Sequence, residues 1–346
     1  MRIFIAVFLL ISNMIIYSCS DVNGISEPDQ ERNIDWVIQN RPQDLLAVIA
    51  EFPDEMIPQK TNRNIVLIDY YNPQTYKIVS DTIYRPDFVS FSPDKKKIIF
   101  GDSNYYIFDS GPTLVLYDLE ENTFLRIYDN MPGIGPVWNY EGTGFYFTNV
   151  PAWGFQNLYY YDFLTNRGVS IHARRQQKTY VVDIVGPDTL IVFSNDTLTT
   201  GKSQGYYYMS NDGQFLSRIN NDKLIYYNMN NPYPYLYPFL GKLRWYKDLQ
   251  LFAFEDMGDW IPGGYIDIRF ALTNQDGSYY KFFPLNEQYN EYGIGWNNNE
   301  MEFLILRGDI NVKIKLLRLD YKTGKMKDYL IPQIIPSCIG FWQADF

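Results

Sequence analysis

A chain of 346 residues with 40 acidic and 30 basic side chains carries a net charge of −10 at neutral pH. That surface repels polyanions, so nucleic acid is not an expected partner. One His and two Cys exclude a His-based metal centre and a disulfide framework, and no EF-hand spacing of Asp is present; neither metal nor cofactor is expected.

In chain order, Met1 to Ser18 is a leader: Arg2 supplies the positive start and Ile3 to Ile16 an apolar run too short for a membrane span. The run ends in Ile16-Tyr17-Ser18-Cys19, which resembles a bacterial lipobox. The resemblance implies cleavage behind Ser18 and acylation of Cys19, hence a lipoprotein anchored in the bacterial cell envelope. The outer membrane is the expected site, with the folded domain in the periplasm or at the cell surface. Residues 20–33 (SDVNGISEPDQERN) are polar and aperiodic and read as a tether. The expected organisation is therefore residues 1–18 signal peptide, 19–33 lipidated Cys and tether, 34–346 one folded domain. Cys338, far from Cys19, is expected as a buried apolar filler.

From Ile34 onward the signals are those of β-structure. FVSFSPDKKKIIF (88–100) alternates apolar and polar residues, turns at Ser-Pro-Asp-Lys, and returns in a second apolar run. The pattern recurs at GPVWNYEGTGFYFT (135–148), VVDIVGPDTLIVF (181–193) and YGIGWNNNEMEFLIL (292–306). A second hairpin type, its first strand ending near Asp or Asn, appears at 65–78, 114–127, 158–171, 206–219, 269–282 and 316–329. Hairpins repeated at a period of about fifty residues point to a β-propeller. The first copy lacks a clean leading strand, with only Leu45 to Glu51 before it. Ser337 to Asp345 resembles a leading strand with no repeat after it. The two deficits complement each other. The expected fold is all-β: a six-bladed propeller of four-stranded antiparallel blades, its ring closed by the C-terminal strand so that no edge is left unpaired.

FSPDKKKIIF (91–100) resembles the repeat of TolB-like propellers, in which a Ser-Pro-Asp-Gly-Lys turn joins the first two strands of a blade. This chain has Lys95 where Gly is usual. The likeness is to bacterial TolB-like propeller lipoproteins. Similar propellers accompany peptidases of the dipeptidyl-peptidase type, but the α/β-hydrolase domain that carries their nucleophile elbow is not expected in a chain of this length.

In such a fold the turns between first and second, and third and fourth, strands leave from one end of the ring. Here they are short: Pro93-Asp94-Lys95, Glu141-Gly142-Thr143, Asp212-Gly213 and Thr323-Gly324. The connections at the other end, including Gly101–Pro112, Asn149–Gln156, His172–Lys178, Asn220–Pro238, Asp256–Gly264 and Arg307–Val312, are long and rich in aromatic and charged residues. Binding usually resides on such loops. Tyr105, Tyr106, Trp153, Phe155, Tyr235 and Trp260 are the expected aromatic contacts, and Arg174, Arg175, Asp256, Asp259 and Arg307 the polar ones. Tyr226 to Phe239, interleaved with prolines, covers the channel mouth, serves as a recognition loop for a partner, or lines the side of the fifth blade. The expected function is a non-catalytic, monomeric binding propeller for an envelope protein, a peptide or a glycan, without catalytic residues. The alternative is a glycan hydrolase using two of Asp102, Asp109, Asp256, Asp259 and Asp309 as paired carboxylates. His172, the single His, reads as a blade-edge residue beside Arg174 and Arg175.

Overall fold

The recurring Asp at the end of the third strand explains the hairpins. In a computed structural model, Asp118, Asp162 and Asp320 each turn a carboxylate back onto two backbone N–H groups, Glu120 and Glu121 (both 3.0 Å), Leu164 and Thr165 (2.7 and 3.3 Å), and Lys322 and Thr323 (2.9 and 2.8 Å). An Asp so placed closes its own turn, which is why it recurs. The structure describes residues 33–53, 61–79, 84–102, 113–149, 157–172, 179–194, 205–221, 224, 243–261, 265–283, 289–297, 300–309, 315–330, 334–335, 338 and 340–345.

Six antiparallel blades result. Blade 1 holds β1 (Leu45–Pro53), β2 (Thr61–Asp69) and β3 (Tyr76–Ile78). Blade 2 holds β4 (Pro86–Phe91), β5 (Lys97–Asp102), β6 (Thr113–Asp118) and the first part of β7 (Thr123–Trp138). The long β7 runs on as the innermost strand of blade 3, beside β8 (Gly144–Asn149), β9 (Asn157–Asp162) and β10 (Arg167–His172). Blade 4 is β11 (Thr179–Gly186), β12 (Thr189–Ser194), β13 (Gly205–Ser210) and β14 (Phe215–Arg218). Blade 5 is β15 (Arg244–Tyr246), β16 (Leu251–Ile261), β17 (Tyr265–Thr273) and β18 (Tyr280–Phe282). Blade 6 is β19 (Tyr289–Asn297), β20 (Glu302–Asp309), β21 (Lys315–Asp320) and β22 (Met326–Leu330). The six repeats expected from the sequence are the third and fourth strands of these blades.

The ring closes as expected. β23 (Gly340–Asp345) pairs antiparallel with β1, Ala47 opposite Asp345 and Glu51 opposite Gly340, and is the innermost strand of blade 1. Hydrogen-bonding both edges of β1 removes the exposed edge that an unfinished blade would present.

Among the described residues the core is not one cluster but six, one at each blade junction. Period-two geometry divides each strand between two neighbours. On β20, Phe303 and Ile305 face blade 5 while Leu304 and Leu306 face blade 1. On β8, Phe145 and Phe147 pack on blade 2 and Tyr146 on blade 4. The apolar run Ile98, Ile99 and Phe100 of β5 is fully buried, because every blade has a blade on each side. Cys338 is buried between blades 6 and 1 beside Leu46, Leu304 and Ile335, as the filler expected.

One element departs from the expectation of β-structure from Ile34. Residues Ile34–Asn40 form a helix, α1, with Ile34, Val37 and Ile38 buried at i, i+3 and i+4. They share an apolar cluster with Leu45 and Leu67 of blade 1 and Val115 and Leu119 of blade 2, so α1 covers that junction. Two turns are too short for a period to stand out in sequence, and packing rather than propensity holds the helix. Ile34–Phe346 is one compact unit.

Candidate functional site

The sequence-predicted contacts fall into two groups. Cys19, Tyr105, Tyr106, Trp153, Phe155, Arg174, Arg175 and Tyr235 lie outside the described residues, as does Asp109. The others are placed, and two placements correct the expectation. Asp256, Asp259 and Trp260 stand in β16 rather than in a loop: Asp256 pairs with Arg269 and Trp260 with Ile266, with a bulge between Met257 and Trp260. Gly258 falls within the bulge of a strand that runs on to Ile261. Asp102, a candidate carboxylate for hydrolysis, is fully buried; it accepts from the Arg85 N–H (2.9 Å) and lies 3.8 Å from Arg126. Its role is internal. Arg307 sits in β20 opposite Glu291 and Lys315, with its guanidinium on the Met326 sulfur of the outermost strand of blade 6. His172, on the outermost strand of blade 3, stands edge-on to the Phe215 ring of blade 4 at 5.3 Å, a blade-edge position as expected.

At the short-turn end the central channel is crossed by polar contacts. Arg244 on the innermost strand of blade 5 donates to Asp345 on that of blade 1 (2.8 Å). Blade 6 separates these blades, so the pair spans the channel. The second Asp345 oxygen accepts the Phe91 N–H of blade 2 (2.8 Å), and Asp183 of blade 4 accepts the Trp245 N–H (2.6 Å). Burial disfavours the Arg244 charge, but Asp345, with Tyr246 and Asp183, more than restores it, and the guanidinium is held above its ordinary pKa. Burial likewise raises the Tyr246 hydroxyl, against the pull of Arg244.

Lys95 joins this network from the Ser-Pro-Asp-Lys turn. It adopts φ +55°, the left-handed conformation for which Gly is the usual residue. Its Nζ donates to the carbonyls of Gln43 (3.1 Å) and Leu45 (2.9 Å) and stands over the Phe91 ring. Burial pulls its pKa down to about 8, against the opposing charges of Asp345 and Asp44. The side chain thus gives the turn a tie to blade 1 that glycine lacks.

The short turns do not leave this end flat. Off the axis, between blades 3 and 4, lies a cleft of about 470 Å³. The turns carrying Glu141, Asp188 and Asp212 rim it, Tyr146 and Tyr160 wall it, and Val169, Ile171 and Pro187 are among its other lining residues. Its shape depends on Gly213 (φ +91°), where a Cβ would stand 2.5 Å from the Ile171 carbonyl oxygen. None of these residues was singled out as a contact from the sequence. Their one signal is an acid in the corresponding turn of two consecutive blades, Glu141 and Asp188, and acids in turns ordinarily serve the turn itself.

The comparison with solved structures decides what this scaffold resembles. TolB from Acinetobacter baumannii aligns over 82% of this chain and 65% of its own, with 15% identity and a TM-score of 0.50. The fold is a TolB-like six-bladed β-propeller. A chain of a nidogen/laminin complex aligns over 87% of this propeller and 98% of its own length, with 10% identity and a TM-score of 0.53. The propeller domain of the Trilobed protease from Pyrococcus furiosus aligns over 82% and 79%, with 13% identity and a TM-score of 0.46. The TolB-like propeller thus spans just under two thirds of the TolB chain, and at these identities the likeness is one of fold. No protein-family profile matches the sequence, and no curated protein is a detectable relative.

Proposed function

We propose that this chain is a non-catalytic binding propeller, held at a bacterial envelope membrane by acylated Cys19, that receives a protein, peptide or glycan at its long-connection end. The observation that carries the reading is the division between the two ends of the ring. At the short-turn end the axis is committed to structure, because Arg244 and Asp345 tie blades 5 and 1 across the channel while Asp345 and Asp183 also bond the backbone of neighbouring blades. A ligand meeting the channel therefore does so from the other end, where connections vary without disturbing those ties. The fold's occurrence in a nidogen/laminin complex supports use of this scaffold in contacts between proteins. Asp102 is withdrawn from the paired-carboxylate alternative, since it is buried and engaged by the Arg85 N–H.

The test has two arms. Cys19→Ala in the native envelope should move the chain from the membrane to the soluble fraction; retention in the membrane refutes the anchor. In pull-downs and glycan arrays, Trp153→Ala and Trp260→Ala should lose a ligand that Lys325→Ala, on the short-turn end, retains. The reverse pattern would place the ligand on the wrong end for this reading.

A further inference from the structure

Blade 3 ends in an outer strand unlike those of the other blades. The next-to-last residue is charged in five of the six sequence repeats: Lys77, Arg126, Arg218, Lys281 and Asp328. Each stands on the outermost strand of its blade. Lys77 pairs with Asp35 (2.9 Å), Asp328 with Lys315 (2.6 Å), and Lys281 donates to the Tyr321 carbonyl (3.3 Å). The remaining copy has Ser170, exposed on β10. Sheets discourage a further strand from pairing by placing a charge on the outer strand or by keeping that strand very short. β3 and β18 have three residues and β14 has four, whereas β10 has six, with no charge between Arg167 and His172.

The backbone of β10 suits pairing as well. It terminates its sheet, and among the described strands none lies on its outer side. Its ladder with β9 is regular from Arg167 to Ser170 and shifts only beyond it. A regular antiparallel strand turns N–H and C=O groups outward at alternate residues, which is a template for an extended chain. Val169 adds an apolar contact, at 60% exposure, and lines the cleft between blades 3 and 4 together with Ser170 and Ile171.

We propose that the outer edge of β10 receives an extended segment of a partner polypeptide, which adds a strand to blade 3 and carries basic side chains. The backbone edge supplies the pairing, and the charge beside it chooses the partner. Glu141, Asp188 and Asp212 line the cleft next to β10, and no basic residue does. Their donors among the described residues are neutral: Asn139 for Glu141, Asn211 for Asp188, and Ser210 and Gln214 for Asp212. An incoming Lys or Arg therefore meets negative potential with no local cation to oppose it. A second copy of the chain is the poorer occupant, since pairing β10 with itself would bring together two such clefts and two chains of net charge −10. This edge is independent of the long-connection end, because it needs only the last strand of blade 3.

The test is anisotropy titration of the purified protein with fluorescein-labelled Lys-Val-Lys-Val-Lys-Val-Lys-amide. Two further peptides separate backbone from charge: the same sequence N-methylated throughout, which keeps every side chain and loses its N–H donors, and one with Glu in place of each Lys. The basic peptide should bind at least about tenfold more tightly than either, the loss of a few backbone hydrogen bonds being enough for that factor. Ser170→Lys gives blade 3 the charge that the other blades carry and should weaken binding about tenfold or more. Val169→Pro and Ser170→Pro each remove one N–H, and in a regular strand one of the two faces outward. The variant that keeps the wild-type melting temperature should lose the peptide. Equal binding of the N-methylated or the Glu peptide, no binding of the basic peptide by the folded protein, or full binding by Ser170→Lys overturns the proposal. Self-association in sedimentation that Ser170→Lys abolishes also overturns it, in favour of a second copy. Should both proline variants fail to fold, the N-methylated peptide and Ser170→Lys still decide.

Discussion

Arg244 and Asp345 meet across the central channel with Nη2 and Oδ1 2.8 Å apart, 101 residues apart in sequence and on blades that are not neighbours. The pair does two things at once. It fixes the last strand of the chain in the ring, and it fills the axis at the end where the turns are short.

Asp345→Ala should therefore cost about 3 kcal/mol or more, because it strands a partly buried guanidinium and the Phe91 N–H together. Arg244→Met combined with Asp345→Leu should recover part of that loss. Urea unfolding of the two singles and the double decides it; an Asp345→Ala midpoint equal to the wild type would remove the pair from any account of stability.

Removal of residues 340–346 takes away β23 and lays open the edge of β1, whose partners run from Ala47 to Glu51. The truncated chain should lose its single cooperative transition and associate through that edge. Light scattering and thermal melts read both effects. An unchanged melting temperature would mean that the ring does not depend on this strand.

Gly213 and Gly324 make a matched pair. Both have positive φ, +91° and +68°, but a Cβ at Gly213 meets the Ile171 carbonyl at 2.5 Å, while one at Gly324 meets nothing within 4 Å. Gly324→Ala should cost only the conformational strain, about 1 kcal/mol, and Gly213→Ala about 2–4 kcal/mol from strain and overpacking together. Equal costs would show that the turn does not bear on blade 3.

Lys95 predicts a stability that rises with pH. Below pH 8 both folded and unfolded chains carry its proton. Between about 8 and the ordinary value of 10.5 the unfolded chain binds that proton and the folded chain does not, so stability increases through this window. The slope is at most about 1.4 kcal/mol per pH unit for one proton. Denaturant melts from pH 7.5 to 9.5 should show the rise in the wild type and its absence in Lys95→Met; the same rise in both would acquit Lys95.

Tyrosines give the opposite sign at higher pH. Burial, with Asp35 and Asp118, pushes the Tyr117 hydroxyl up to about 12, and its O–H donates to Asn122 Oδ1 (2.6 Å). The unfolded chain ionises this group near 10, so its stabilising contribution is complete below 10 and is lost as pH rises to 12. Phenolate absorbance should therefore lag behind that of the urea-unfolded chain. Tyr117→Phe should flatten part of the fall in stability; coincident titrations of folded and unfolded protein would contradict the burial.

How much of this was legible in the residues differs from feature to feature. The hairpins at 114–127 and 316–329 announced themselves because Asp118 and Asp320 act on N–H groups two and three residues away. Closure by the C-terminal strand was legible because one blade lacked a strand and one strand lacked a blade. The helix Ile34–Asn40 was missed, since two turns carry too little periodicity. Asp256–Trp260 was misread because a bulged strand and a loop share their Gly and Pro.

What the sequence determined by itself is local: alternation, turn chemistry and the repeat of both, which together leave a propeller as the fold. What only the tertiary structure decided is which blades face one another and what meets there. Nothing near Asp345 in the chain marks Arg244 as its partner, and nothing in the turns of Glu141, Asp188 and Asp212 marks them as the rim of one cleft. Those relations arise when the ring closes, because closure alone sets the distances between residues that the chain keeps far apart.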